Sequence, residues 1–463
     1  MTSFVASPFA LPDSSPSSLT AVRLRSNPVW GPLPRLRRDV LGTFLEFAKE
    51  GDAITFRVLN QTIHLLTHPD HLKHVLVDRP KSYRKSTRGY QEMRKVVGNG
   101  LLTSEGDFWL RQRRLASPAF HRKRIENFAQ AFVSITADEQ SKWTGQGEVR
   151  DIAHDMMAIT LRIVEKTLLS REAGADTERV GDALNVGLAE LTYRMNSPWA
   201  LPLAIPTPHN LRFRRAIGVL DHAVATIVGE RRRNGPVGDG DLLDMLMETL
   251  DEKGEAMTDT QLRDEVLTIL LAGHETTAMA LSWTLMLLAQ NPAIESQVHD
   301  EIIRVCGDRT PSLADLPALS LLDRVLHESM RLYPPAWIIA RAAVEDDDVP
   351  GLRVRRGEWT FLSPYVVHRR PDFWPDPLRF DPDRFLPDAV AARHRYAWVP
   401  FSAGQRKCIG DQFAMMEARL VLATLLQKHR FELASDVPVG LDPLVTLRPR
   451  GGMPMRVRSR NYI

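Results

Sequence analysis

The stretch Phe401-Ser402-Ala403-Gly404-Gln405-Arg406-Lys407-Cys408-Ile409-Gly410 sets one cysteine between two glycines and two bases, ahead of a helix-period segment from Ile409 to His429. A cysteine at a helix N-terminus meets free N–H groups and the positive end of the helix dipole, both of which favour its thiolate. A thiolate is a ligand for iron. Gly404 and Gly410 let the backbone turn tightly and approach a flat macrocycle. Phe401 would shield one side of the sulfur, and Arg406 offers a planar fork suited to a carboxylate. A buried structural cysteine in a glycine-containing turn is the plain alternative, and the companion patterns weigh against it.

The second pattern is a long helix. Thr258 with Gln261 reads as a capping box, and the apolar run continues to Gln290-Asn291-Pro292, so a helix of about 30 residues spans about 45 Å. In its middle, Ala272-Gly273-His274-Glu275-Thr276-Thr277 places an acid and hydroxyls inside apolar sequence. Burying them costs free energy unless they are partnered. His274 and Glu275 near the centre also argue against a membrane span. Ala272 and Thr276 share a face with Gly273 beside them, so small residues admit a flat group or dioxygen close to the backbone. The Thr276 hydroxyl could instead bond the Ala272 carbonyl and open a groove.

Two further patterns complete the set. Glu328-Ser329-Met330-Arg331 puts opposite charges three apart on a helix ended by Tyr333-Pro334-Pro335, and Phe380-Asp381-Pro382-Asp383-Arg384-Phe385 follows. Trp109 and Arg113 lie four apart on a third helical stretch.

In this order and spacing the four patterns resemble those of the cytochrome P450 family, from Trp109 to Gly410. The resemblance implies a mainly α fold with a smaller β region, haem b (iron protoporphyrin IX) lying between the long central helix and the cysteine loop. Cys408 is then the iron ligand, with Arg406, Trp109, Arg113, Arg341, Phe401, Gly404, Gly410, Ala272 and Gly273 around the cofactor. Glu275 and Thr276 correspond to the acid and alcohol that relay protons during oxygen activation. Glu328, Arg331 and Arg384 form a structural network that locks the fold and retains haem. The substrate pocket is expected at Leu271, Ala336, Trp337, Ile338, Ile339 and Leu447.

The activity implied is a monooxygenase that inserts one atom of O2 into a lipophilic small molecule such as a fatty acid, terpenoid, steroid or carotenoid. Apolar Trp199, Leu201, Leu203 and Ile205 at a proline-broken entrance suit such a substrate. Electrons would come from a ferredoxin or flavodoxin with its reductase. Arg111, Arg113, Arg114, Arg122, Lys123, Arg124 and Lys407 form a basic landing surface for it, or a merely solvated face. A peroxide-driven peroxygenase would not need Glu275 and Thr276, and a haem-binding sensor would have little reason to keep them.

Organisation follows from punctuation. Residues 1–25 read as a flexible N-terminal segment, Ser/Pro-rich to Ser18, without a signal peptide or anchor, and residues 26–463 as one catalytic domain. Ile54 to Leu59 and Thr62 to Leu66 suggest a hairpin before a helix near Pro69. Lys81 to Gly100 reads as an irregular loop, Asp107 to Gln290 as overwhelmingly helical, and Leu352 to Val354, Trp359 to Val367 and Thr446 to Met453 as β-like. A formal charge of +3 is too small to argue for nucleic acid. Only two cysteines, Cys306 and Cys408, point to a reducing compartment and hence the cytoplasm.

Overall fold

Residues Asp259–Gln290 form the central helix of the computed structural model, which describes residues 19–25, 27, 30–169, 175–197, 200–236, 241–250 and 254–460. The capping box is complete, with Gln261 N donating to Thr258 Oγ1 at 3.3 Å and Thr258 N to Gln261 Oε1 at 2.8 Å. Pro292 cannot extend the hydrogen-bond ladder and opens the next helix, Pro292–Cys306, with Cys306 as its last residue. From Asp264 to Leu288 every side chain of the central helix is buried except Ala272, Gly273 and Thr276. A helix buried nearly all round is a core helix. Helices Ile152–Leu169, Pro208–Asn234, Ser320–Leu332 and Asp411–Lys428 pack against it. Among the described residues no helix is long and apolar enough to cross a membrane.

The β region is smaller. Its strands are β1 (Ala21–Arg23), β2 (Ala53–Val58), β3 (Gln61–Leu66), β4 (Tyr83–Arg84), β5 (Gln146–Asp151), β6 (Ile339–Ala343), β7 (Asp347–Val349), β8 (Leu352–Val354), β9 (Trp359–Leu362), β10 (His429–Leu433), β11 (Leu441–Pro443), β12 (Leu447–Pro449) and β13 (Pro454–Ser459). The main sheet runs β1-β2-β3-β9-β6-β4, and β10-β13-β5 form a second. Strands β11 and β12 make a hairpin, as do β7 and β8. The expected hairpin before Pro69 is β2–β3, with Ala53 opposite Leu66 and Val58 opposite Gln61.

Four expectations need correction. Lys81 to Gly100 is not an irregular loop, because Arg88–Val97 is a helix with Glu92, Met93, Val96 and Val97 buried. Those positions form one stripe, and Gly98 ends the helix at φ 66°, where a Cβ would lie 1.9 Å from the Asp264 carboxylate. The stretch read as helical contains β5, which pairs with β13 far along the chain. The strand from Trp359 stops at Leu362, since Pro364 starts a helical turn, Pro364–Val367. Within the N-terminal segment expected to be flexible to residue 25, Ala21–Arg23 pair in parallel with β2. Residues 1–18 and Trp199 lie outside the described residues.

Candidate active site

The cysteine loop is held by its own backbone. Cys408 N donates to Phe401 O at 3.0 Å and Lys407 N to Gly404 O at 3.1 Å. Gly404 has φ 67°, and a Cβ there would sit 2.0 Å from Leu76 O, so close backbone packing is what demands glycine. At Gly410 a Cβ would meet nothing nearer than the Phe120 ring at 3.6 Å. Its contribution is instead its N–H, which hydrogen-bonds the sulfur. Phe401 packs its ring against the main core. Cys408 is surrounded by protein on most sides yet keeps accessible surface of its own.

Burial pushes the Cys408 thiol up, while the Gly410 N–H, Arg113 and Lys407 pull it down and Asp411 adds to the rise. The helix end alone therefore does not make the thiolate. A coordinating metal deprotonates a thiol outright, and this donor suits one. Arg113 stands on the sulfur side, where Cys408 and Asp411 are the charges that act on it.

A second cluster contains more positive charge than the protein neutralises. Arg406 donates from Nη2 to Ser104 O at 2.9 Å, pairs with Glu105 at 2.8 Å, and lies over the Trp109 ring at 3.7 Å. Its Nη1 is buried without a partner, and burial pushes the guanidinium down to about 10. Arg341 is buried on β6, with Nη1 donating to Ala340 O at 2.9 Å. Lys85 follows β4, whose Arg84 is opposite Ala342, so the register carries it towards Arg341. Lys85 is buried, and desolvation with the charges of Arg341 and Arg406 holds its ammonium well below the usual range. Buried Lys85 and Arg341 with the partly buried Arg406, around the carboxylate of Glu105, fit a group that brings two carboxylates, as haem b does.

On the central helix, Thr276 Oγ1 donates to Ala272 O at 2.7 Å, the back-bond anticipated from sequence. The helix stays continuous through it. Ala272 is exposed, with Gly273 and Thr276 partly so, whereas Leu271 is buried. After Pro335 the alternation is clear. Ala336 is exposed and Ile338 half-buried, while Trp337 and Ile339 belong to hydrophobic cores. Leu447 is fully buried in the core that contains Phe44, Trp337 and Tyr365, leaving no surface for a substrate. Its neighbours Thr446 and Arg448 instead reach Glu275, which accepts from Thr446 Oγ1 and Arg448 Nε on Oε1, both at 2.5 Å.

Glu328, Arg331 and Arg384 come together, as the family resemblance implies. Arg331 donates from Nε and Nη2 to the two Glu328 oxygens, both at 2.6 Å, and Arg384 Nε lies 3.5 Å from Glu328 Oε1. Arg331 also donates to the carbonyls of His368, Pro377 and Arg379. Sequence reasoning missed Lys85, Glu105, Thr446 and Arg448, since each acts through pairings between distant segments. The period-2 alternation of a short strand was the available signal at Thr446 and Arg448.

Residues 23–453 match the family model described as Cytochrome P450. The chain is 35% identical to a pentalenene oxygenase of Streptomyces avermitilis, over 94% of this chain and 96% of that protein. It is 34% identical to a cyclooctatin synthase of Streptomyces melanosporofaciens, over 92% and 91% respectively. The structure resembles the crystal structure of the cytochrome P450DA heme domain with a TM-score of 0.87, at 27% identity over 96% of this chain and 98% of that one.

Proposed function

The chain belongs to the cytochrome P450 family, and from that membership we propose that Cys408 would supply the thiolate ligand of its haem and that its substrate is a terpenoid. It is a haem-thiolate monooxygenase, inserting one atom of O2 into a lipophilic substrate by hydroxylation or epoxidation with electrons from a redox partner. Bound haem supplies oxygen activation, which thiolate ligation favours.

The buried cation cluster is the observation that carries the cofactor-binding assignment. Lys85, Arg341 and Arg406 would hold the two haem carboxylates, and Trp109 orients Arg406 by stacking beneath it. Arg113 and Lys407 act on the sulfur. Ala272 leaves room beside the helix, whereas Gly273 admits Val164 of the helix Ile152–Leu169, whose Cγ2 would lie 3.2 Å from a Cβ there, and Thr276 holds its hydroxyl proton on the Ala272 carbonyl until a reacting group competes for it. Glu275 is the carboxylate that replaces that proton. Ala336 and Ile338 form the apolar wall against which a substrate is oriented.

A terpenoid substrate rests on the relatives named for pentalenene and cyclooctatin and on this small, apolar wall. A ferredoxin or flavodoxin in the cytoplasm is the partner proposed, docking near Arg114, Lys123 and Arg124. Nearby, Lys407 is paired with Asp411 and Arg122 with Glu126, which reduces the net positive charge of that face.

The test is optical. Reduced protein with CO should give the long-wavelength Soret band of thiolate ligation, and C408S should lose it. Ferric protein titrated with pentalenene, a fatty acid, a steroid and a carotenoid should show a saturable low-to-high-spin shift with the terpene. A shift with the fatty acid alone would overturn the terpenoid assignment.

A further inference from the structure

The Glu275 carboxylate is 2% exposed and does not touch the Thr276 hydroxyl, which is bonded to Ala272 O. It is held instead by the β11–β12 hairpin. Thr446 Oγ1 and Arg448 Nε both donate to Oε1, and Arg448 Nη2 lies 2.5 Å from the same oxygen without the angle of a hydrogen bond. Two donors on one oxygen fix the rotation of the carboxyl and leave Oε2 outside the clamp.

The hairpin is itself anchored to the apolar wall. Leu447 N donates to Pro335 O at 3.0 Å, Trp337 Nε1 to Leu444 O at 2.9 Å, and Trp283 Nε1 to Leu447 O at 2.9 Å. Pro335 and Trp337 flank Ala336, so one set of hydrogen bonds joins the wall to the clamp on the acid. Leu447 sits in the core as the peg between the two clamping residues.

We infer that Thr446 and Arg448 are positioning residues for proton delivery, aiming Glu275 through one carboxylate oxygen from a hairpin that is tied to the apolar wall. The inference rests on the monooxygenase reading with Glu275 as proton donor. Each productive cycle takes one O2, two electrons and two protons, placing one oxygen in the product and one in water. A cycle with misdirected protons consumes the same inputs and releases H2O2 instead. A general acid contributes about 10²–10⁴-fold, and misaiming it forfeits part of that.

The experiment uses haem-loaded R448Q, R448K, T446V and E275Q with a surrogate ferredoxin and reductase, NADH and pentalenene. R448Q should raise H2O2 per NADH on the order of tenfold, with R448K restoring most of the coupling. Oxidation driven by added H2O2, which arrives with both protons and both electrons, should not fall in parallel. Urea unfolding of R448Q, E275Q and the double variant should be non-additive, since removing either partner already breaks the clamp. Non-additive stability with unchanged H2O2 per NADH would make Arg448 a structural tie and overturn the inference. Additive stability would overturn the clamp itself. Absence of product from wild type under both oxidants would count against the terpenoid assignment, and the unfolding cycle would still decide the clamp.

Discussion

The guanidinium carbon of Arg406 lies 3.7 Å from the centre of the Trp109 ring, and the same side chain bridges Ser104 and Glu105. That stack joins the cysteine loop to the helix Gly106–Ala116 and aims a cation at the space beside Lys85 and Arg341. Positive charge concentrated there opposes folding of the haem-free chain and favours the cofactor.

Lys85→Met should therefore act with opposite signs on the two forms. Removing an amine whose charged form is disfavoured by burial and by Arg341 and Arg406 should raise the stability of haem-free protein by more than the loss of its hydrogen bond to Leu102 O at 2.9 Å lowers it. In the loaded form it deletes a charged hydrogen bond of about 1.5–3 kcal/mol, on the order of ten- to a hundredfold in haem retention. Unfolding of the apoprotein and haem transfer to apomyoglobin measure the two effects. Equal destabilisation of both forms would show that Lys85 is a packing residue only.

Arg331 is fully buried and pairs with Glu328 while capping three carbonyls. Breaking one side of such a pair leaves an uncompensated charge, so E328Q or R331M should cost about 3–5 kcal/mol in urea unfolding. The double change E328M/R331M should recover only part of this, because His368, Pro377 and Arg379 still lose their donor. Full recovery would assign the whole effect to the ion pair.

What was legible in the sequence was local chemistry. The Thr258–Gln261 box, the Glu328–Arg331 spacing and the cysteine loop each declare themselves within a few residues. The helix Arg88–Val97 was hidden because Arg88, Arg94 and Lys95 dominate its composition, though Met93, Val96 and Val97 mark its buried side. Lys85 gains its meaning only when β4 pairs with β6, and Arg448 only when the last hairpin folds onto the central helix. Patterns within one segment cannot announce a contact that needs two.

Glu265 gives the pH prediction. It is 1% exposed, Leu101 N donates to its Oε2 at 3.0 Å, and Oε1 has no partner. Burial pushes its carboxyl up to about 7, with Asp264 adding to the rise. Between the unfolded value near 4.5 and about 7 the folded state binds the extra proton. Stability is thus higher at acidic pH and falls as pH rises through that window, by an amount of order 3 kcal/mol. E265Q should flatten this slope in urea unfolding from pH 5 to 8. A slope unchanged by E265Q would assign the titration to another group.

Arg194 ties three pieces of the chain at the entrance expected from the sequence. Its Nε donates to Glu92 Oε2 at 2.7 Å, and its Nη1 donates to Asn210 Oδ1 at 3.0 Å and Leu201 O at 3.1 Å. The helix Arg88–Val97, the segment after Asn196 and the helix Pro208–Asn234 thereby share one buried cation. Leu201 and Ile205 are exposed beside it, so this segment has little apolar burial of its own and depends on the tie. R194A leaves Glu92 with Lys95 as its remaining ion-pair partner, frees two acceptors, and should loosen the entrance without touching the cysteine loop. Bimolecular CO rebinding after flash photolysis should speed up severalfold in R194A, and hydrogen exchange should rise at residues 88–97 and 200–210. The CO Soret band should stay at its wild-type position, because the thiolate lies on a separate element. Unchanged rebinding with raised exchange would mean that the entrance moves without gating the route to the haem.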